Sequence, residues 1–86
     1  MRIEKKILKE YFDKIESGKK KFELRLGDWE CNEGDVLVLR EWDSVKNDYT
    51  GKEIEKKVTY VFNTKEVDFW SEEEVKKHGY MIINFE

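Results

Sequence analysis

Several residue types are absent or rare in this chain, and their absence excludes whole classes of site. The 86 residues include no proline, alanine or glutamine, one cysteine and one histidine. A single cysteine cannot form a disulfide within the chain, and one cysteine with one histidine cannot supply a structural zinc site. No phosphate loop and no glycine-rich dinucleotide motif occurs in the sequence. We therefore expect no metal and no cofactor, and we interpret Cys31 and His78 as structural residues.

Long apolar runs are missing as well. No stretch approaches the roughly 18 residues of a membrane-spanning helix, and the first ten residues lack the apolar segment of a signal peptide. A chain of 86 residues forms one small core, so we predict a single domain over residues 1–86. We expect a cytoplasmic protein without a membrane partner. Its charged residues, 43% of the chain and mostly lysine and glutamate, are typical of thermophile proteins.

The charge is unevenly distributed along the chain. The net charge of −3 argues against a broad, non-specific nucleic-acid binder. Residues 1–25 nevertheless carry nine basic and five acidic side chains, a balance of +4, whereas residues 26–86 carry eight and fifteen, a balance of −7. A local basic region on an acidic protein can still bind phosphate.

The apolar pattern predicts an α+β domain. Residues 1–6 form a first strand in this interpretation, and a helix of about ten residues follows from four apolar residues at helical spacing: Leu8, Tyr11, Phe12 and Ile15. Gly18 is typical of the position after a helix end. Four further strands are predicted at residues 20–26, 36–42, 52–62 and 80–85, with a short helix near 71–77 that Ser71 caps. About five strands joined mostly by short loops favour a curved, mainly antiparallel sheet or barrel.

The second predicted strand follows a lysine run in SGKKKFELR, residues 17–25. Alternation predicts that Phe22, Leu24 and Leu26 face the core, with Lys21, Glu23 and Arg25 on the other face. That second face is either an ordinary solvated surface or a binding site. A carboxylate between cations stays ionised and can accept from an exocyclic amino group of a base, while lysine and arginine suit phosphate.

The aromatic residues allow two interpretations. Trp29 and Trp70 lie in predicted loops, where an aromatic ring could stack on a base, and Tyr49 and Tyr60 share this ambiguity. The alternative for all of them, and for Trp42, is packing at the rim of a small core.

The segment GKKKFELR, residues 18–25, resembles the G-x-K-x-x-E-x-R motif of ASCH domains, a branch of the PUA-like superfamily. The segments EGDVLVLREWD, YTGKEIEKKVTYVF and GYMIINFE extend the resemblance to a small prokaryotic ASCH-like family over nearly the whole chain. The resemblance implies a PUA-like pseudobarrel with a helix crossing near one opening. It also implies a cleft for RNA or another nucleic acid, lined by Lys20, Glu23 and Arg25. From their position at a strand end we add Arg40 and Glu41.

Two other functions stay open. Some ASCH relatives are enzymes, and one branch hydrolyses acetylcytidine with a lysine and a threonine of this motif and a later glutamate. Lys20 matches that lysine, but Glu23 occupies the threonine position, which favours binding over catalysis. Lys20 and Glu23 could also act as acid and base on RNA. The remaining hypothesis is a protein-interaction domain that uses the acidic part of the chain.

Overall fold

The computed structural model describes residues 1–66 and 72–86. Its elements follow in this order: β1 (Arg2–Leu8), α1 (Lys9–Glu16), β2 (Phe22–Leu26), β3 (Val36–Asp43), β4 (Asp48–Asn63), a 3₁₀ turn (Thr64–Glu66), α2 (Glu73–Lys77) and β5 (Tyr80–Phe85). The predicted α+β class with five strands, one longer helix and one short helix is confirmed. Among the described residues, no helix is both long and apolar enough to cross a membrane.

The five strands form one sheet in the order β1-β3-β4-β5-β2. β1 runs parallel to β3, while β3–β4, β4–β5 and β5–β2 are antiparallel, so the predicted mainly antiparallel sheet is confirmed. β1 and β2 are the two edge strands, and no backbone ladder joins them. The sheet is therefore open between these edges.

Helix α1 covers one face of the sheet. Phe12 and Ile15 are its buried residues, and they pack against β1 and β3. The core continues through inward-facing residues of the strands: Ile7, Leu37, Leu39, Val58, Met81, Ile83 and Phe85. The amphipathic pattern of the sequence thus predicted the helix correctly. Of the four residues assigned to its buried face, Phe12 and Ile15 are buried, whereas Leu8 and Tyr11 remain exposed.

Strand β2 faces the opposite way from the prediction. Phe22, Leu24 and Leu26 are exposed, whereas Glu23 is only 4% exposed. The partners across the ladder explain this, since Glu23 pairs with Ile83 and Arg25 with Met81, both of which belong to the core. The predicted core orientation of Phe22 and Leu24 was wrong: the polar face of β2 points inward.

A bulge in β4 corrects a second prediction. Ile54, Val58, Tyr60 and Phe62 are expected on one face from their even spacing, but the register shifts between Val58 and Tyr60. Val58 is buried, whereas Tyr60 and Phe62 lie on the exposed face. An extra residue in one strand reverses the alternation beyond it, which the sequence pattern does not reveal.

Two boundaries also differ from the predictions. The β3–β4 hairpin is present, but its connection spans residues 44–47 instead of nine residues, because β4 begins at Asp48. Helix α2 begins at Glu73 with Glu72 at the N-cap position. Ser71, the predicted cap, and Trp70 lie outside the described residues.

Candidate functional site

A cavity of about 480 Å³ opens between the end of β1, the start of α1 and β2. Ligand pockets in proteins commonly measure about 300–1,000 Å³ and combine apolar walls with a few polar groups. This cavity does so, with the following lining residues: Lys6, Ile7, Leu8, Tyr11, Lys20, Phe22, Glu23, Leu24 and Arg25. It lies where the two edge strands approach without pairing.

Lys20 reaches the cavity because of the way α1 ends. Gly18 takes a positive φ of 82°, a conformation that glycine adopts without steric cost, and the chain reverses there. The Lys20 backbone N–H then donates to the Lys14 carbonyl at 3.0 Å, which ties the start of β2 to the helix. The side chain of Lys20 is thereby directed at the strand residue three positions later.

Glu23 holds the two cations of the site together. Lys20 Nζ donates to Glu23 Oε1 at 2.7 Å, and Arg25 Nε donates to Glu23 Oε2 at 2.8 Å. The side chains of Lys20 and Arg25 are themselves only 17% and 26% exposed. A buried carboxylate is stable only when it is paired and hydrogen-bonded, so these contacts account for an inward-facing glutamate on β2.

Arg25 also bridges the gap between the edge strands. Its Nη2 donates to the Lys6 carbonyl of β1 at 2.8 Å. The guanidinium therefore contacts Glu23 on its own strand and the backbone of the strand at the other edge of the sheet. Its planar fork of donors suits this double contact, which a lysine would not reproduce.

Aromatic rings flank the Lys20 ammonium. Its Nζ lies 5.5 Å from the centre of the Tyr11 ring and 5.0 Å from that of Phe22. Both distances fall within the roughly 6 Å at which a ring face attracts a cation. Tyr11 and Phe22 thus form an aromatic rim above a polar floor.

The floor carries two positive charges and one negative charge. A lysine ammonium has three donors and an arginine has five, so both side chains keep N–H groups beyond those used on Glu23 and Lys6. A carboxylate offers about four acceptor positions, and Lys20 and Arg25 use two of them on Glu23. The site can therefore donate to an anionic or carbonyl oxygen and accept from an amino group beside it.

Arg40 and Glu41 do not line this cavity. Arg40 lies over the Tyr49 ring, 4.0 Å from its centre, and its Nε is 3.9 Å from a Glu53 carboxylate oxygen. Glu41 is buried and accepts from Thr50 Oγ1 at 2.6 Å. Its second oxygen, Oε2, has no hydrogen-bond partner among the described residues. The structure brings Lys20, Glu23 and Arg25 together and places the other two predicted residues elsewhere.

Lys6, Leu8 and Tyr11 are site residues that the sequence interpretation missed. The helical spacing assigned Leu8 and Tyr11 to the buried face of α1, and both instead line the cavity. Both residues lie at the start of the apolar stripe of the helix, where a small core does not extend. That position is the signal in the sequence that could have identified them. Lys6 contributes its backbone carbonyl, for which a sequence carries no signal.

The other aromatic candidates of the sequence analysis lie outside the cavity lining. Trp29 packs against the core with Lys5 Nζ 3.9 Å from its ring centre, and Trp42 meets Tyr49 edge to face at 5.0 Å. Tyr60 is exposed on the outer face of the sheet.

Cys31 is buried, and burial raises the pKa of its thiol, with the Asp35 carboxylate adding to the effect. His78 is the residue that ends α2. Neither residue lines the cavity.

Comparisons with known proteins give a family and a fold. An uncharacterized 12.9 kDa protein in the GpA 3' region of Escherichia phage P2 is 36% identical over 75 residues, which cover 87% of this chain and 64% of the phage protein. The chain thus spans less than two thirds of that relative. The crystal structure of hypothetical protein PH0355 superposes with a TM-score of 0.70 at 22% identity, covering 100% of this chain and 98% of the other. The model of a family described as a domain of unknown function, DUF3850, matches residues 4–85, and the chain belongs to this family.

Proposed function

We propose that the chain is a nucleic-acid-binding module, with RNA as its ligand, and that the cavity beside β2 is the binding site. The observation that carries the proposal is the convergence of Lys20, Glu23 and Arg25 on one cavity with an aromatic rim. Aromatic side chains stack on the bases of single-stranded RNA, and lysine and arginine bind its phosphates. The site offers both kinds of contact within one cavity.

In this proposal the three polar residues have separate roles. Lys20 and Arg25 donate to phosphate through the N–H groups that Glu23 leaves unused. Glu23 accepts from an exocyclic amino group or a ribose hydroxyl and keeps the two cations in place. A base stacks on Tyr11 or Phe22.

The resemblance to ASCH domains belongs to the same proposal. A PUA-like pseudobarrel needs the edges of a curved sheet to approach each other, and the Arg25 contact with the Lys6 carbonyl supports such an approach. We infer that this contact takes the place of a backbone ladder between β1 and β2. The binding cleft of the proposed module is the opening left between them.

Binding to a labelled single-stranded RNA, followed by fluorescence anisotropy at low ionic strength, tests the proposal. Lys20→Ala should weaken binding about tenfold or more for every RNA sequence, because the lost contact is to the backbone. Lys21→Ala is the matched control, since it removes the same charge from the exposed neighbour. Equal affinities of the two variants, or no salt-sensitive binding by wild type, would contradict the proposed site.

Base preference tests Glu23 separately. Glu23→Gln should change the ratio of affinities for RNAs of different base composition, because it replaces an acceptor by a mixed donor and acceptor. A ratio measured on one sample does not depend on the fraction of protein that is folded, so loss of stability does not obscure the result. An unchanged ratio would mean that Glu23 only positions the cations.

A second candidate function is hydrolysis of a modified nucleoside or of RNA, and one observation favours it. Lys20 and Glu23 both line a cavity large enough for a base, so each lies where it can reach a proton of a bound substrate, as acid–base catalysis requires. Incubation with acetylated nucleosides and with RNA, followed by chromatography, tests this function. Turnover that disappears in Lys20→Ala but persists in Lys21→Ala would support it.

A further inference from the structure

A second surface of the molecule is unusual for so charged a chain. The outer face of β2, β5 and the second half of β4 carries seven exposed apolar or aromatic side chains, which we call the apolar face: Phe22, Leu24, Leu26, Tyr60, Phe62, Tyr80 and Ile82. They form rows across the ladders, with Leu24 beside Ile82 and Ile82 beside Phe62. None of the outward positions within these rows holds a charged residue, although 43% of the chain is charged.

Two polar residues on the apolar face hydrogen-bond each other. Asn84, which lies between Phe22 and Tyr60, donates from its side-chain amide to Thr59 Oγ1 at 3.0 Å. Thr59 Oγ1 in turn donates to the Asn84 carbonyl at 3.0 Å. Apart from this pair and the hydroxyls of Tyr60 and Tyr80, the face is apolar, which is the character of the centre of an interface and not of its rim.

The apolar face is large enough to matter. The seven exposed fractions add up to about three whole side chains, which at roughly 150 Å² each amount to about 500 Å². The largest apolar patch on a typical monomer measures about 300–600 Å² and is often functional. Two such faces packed together would remove about 1,000 Å² from water, the lower bound for a specific interface.

We propose that the occupant of the apolar face is a second copy of this chain, packed sheet against sheet. An uncharged face has no repulsion to overcome when it meets itself, whereas a charged one needs a partner of opposite sign. Nucleic acid is disfavoured, because no cation projects from these rows to neutralise phosphate.

The strand order makes the apolar face complementary to itself. β5 lies between β4 and β2. A two-fold axis parallel to β5 therefore sets β5 on the partner's β5, and β2 of each copy on β4 of the other. Because such an axis keeps positions along β5 unchanged, Leu24 of one copy opposes Phe62 of the other and Phe22 opposes Tyr60, across the roughly 10 Å between stacked sheets.

This surface goes beyond the proposed nucleic-acid site but borders it. Phe22 and Leu24 belong to the apolar face and also line the cavity. The partner's sheet therefore lies beside the mouth of each cavity and limits the side from which a ligand enters. Lys20→Ala, on the floor of the cavity, leaves the dimer unchanged.

Sedimentation equilibrium tests the proposal directly. Wild type should show the mass of two chains, against 10.5 kDa for one. Leu24→Lys should raise the dimer Kd at least about tenfold, because it puts a charge at the centre of the interface. The matched control is Val45→Lys, which adds the same charge at an apolar residue that is 94% exposed in the β3–β4 turn, and which should remain dimeric.

A second variant keeps the test valid if Leu24→Lys fails to fold, as judged by circular dichroism. Tyr60→Lys lies on the other side of the face and should weaken the dimer to a similar extent. A wild type that stays monomeric at high concentration would overturn the proposal. So would a dimer that both folded variants keep, or an RNA bound across the apolar face of a monomer.

Discussion

Glu23 is the residue on which the geometry of the site depends. It is the inward-facing carboxylate of β2, and each of its oxygens accepts from a different cation. Removal of the carboxylate would leave Lys20 and Arg25 as two partly buried positive charges with no anion between them. The same residue therefore connects the stability of the fold with the chemistry of the cavity.

Glu23→Gln should lower the free energy of unfolding by about 3 kcal/mol, because breaking a buried ion pair by removing one partner leaves uncompensated charge. Urea unfolding with an unchanged m-value measures this loss. Glu53→Gln is the control, since Glu53 is exposed and lies 3.9 Å from Arg40 at the surface. Glu53→Gln should lower the free energy of unfolding by no more than about 1 kcal/mol. Equal losses in the two variants would mean that the Glu23 contacts contribute no more than a surface pair.

Asp35 should contribute a stability that depends on pH. The Asn32 backbone N–H donates to its carboxylate at 2.9 Å and the Met1 amino group at 3.0 Å. These contacts, the Asn32 hydrogen bond first, lower the pKa of Asp35 below its ordinary value. The folded pKa lies below the unfolded one, so the stabilisation is fully present above the unfolded pKa of about 3.9 and is lost as the pH falls towards the folded pKa.

Unfolding curves of wild type and Asp35→Asn, recorded between about pH 7 and 2, check this expectation. The difference in stability between the two proteins should be constant near neutral pH and should shrink in acid, where the wild-type carboxylate is protonated. Asp28→Asn, at an exposed position, should follow the wild-type pH dependence. A difference that stays constant down to the lowest pH would contradict the role of Asp35.

At the scale of elements, the sequence predicts which side chains share a face but not always which face is buried. The alternation in β2 separated Phe22 and Leu24 from Glu23 and Arg25 correctly. The prediction placed Phe22 and Leu24 in the core instead of Glu23 and Arg25. Such a prediction assumes that apolar side chains are buried and that polar side chains find no partners inside the protein. Glu23 and Arg25 have such partners, and an edge strand of a small sheet has too little cover for both of its faces.

Two adjacent residues of helix α1 allow a test of which side chains belong to the core and which to the cavity. Phe12 is fully buried, whereas Tyr11 is 44% exposed and lines the cavity. Phe12→Ala should cost about 3–5 kcal/mol of unfolding free energy through the cavity it leaves. Tyr11→Ala should cost about 1 kcal/mol or less and, under the proposed function, should weaken RNA binding through loss of a stacking ring. Thermal unfolding and anisotropy measured on both variants separate the two roles, and comparable stability losses would contradict the assignment.

At the scale of the molecule, the cavity is a product of topology. Lys20, Glu23 and Arg25 lie within six residues, so local spacing sufficed to predict that they are close. The parallel pairing of β1 with β3 places β1 at one edge of the sheet, and that placement brings the Lys6 carbonyl to Arg25. Arg40 and Glu41 lie inside β3, which continues to Asp43, and a bulge between Arg40 and Trp42 interrupts the pairing with β4 there. Sequence spacing reveals neither the Arg25–Lys6 contact nor this bulge, because both depend on pairing with other strands.

The whole-molecule charge predicts how RNA binding should respond to salt. The chain carries a net charge of −3, and its proposed site contains two cations, Lys20 and Arg25. A ligand that meets two or three cations releases few counterions, so log K should fall with log salt concentration with a slope of about −2. Lys20→Ala should reduce the magnitude of that slope by about one, while Glu53→Gln, outside the cavity lining, should leave it unchanged. Titrations at several salt concentrations give the slope directly. A slope of about −6 or steeper would mean that an extended basic surface binds the RNA, and the cavity beside β2 would then be at most one part of the interface.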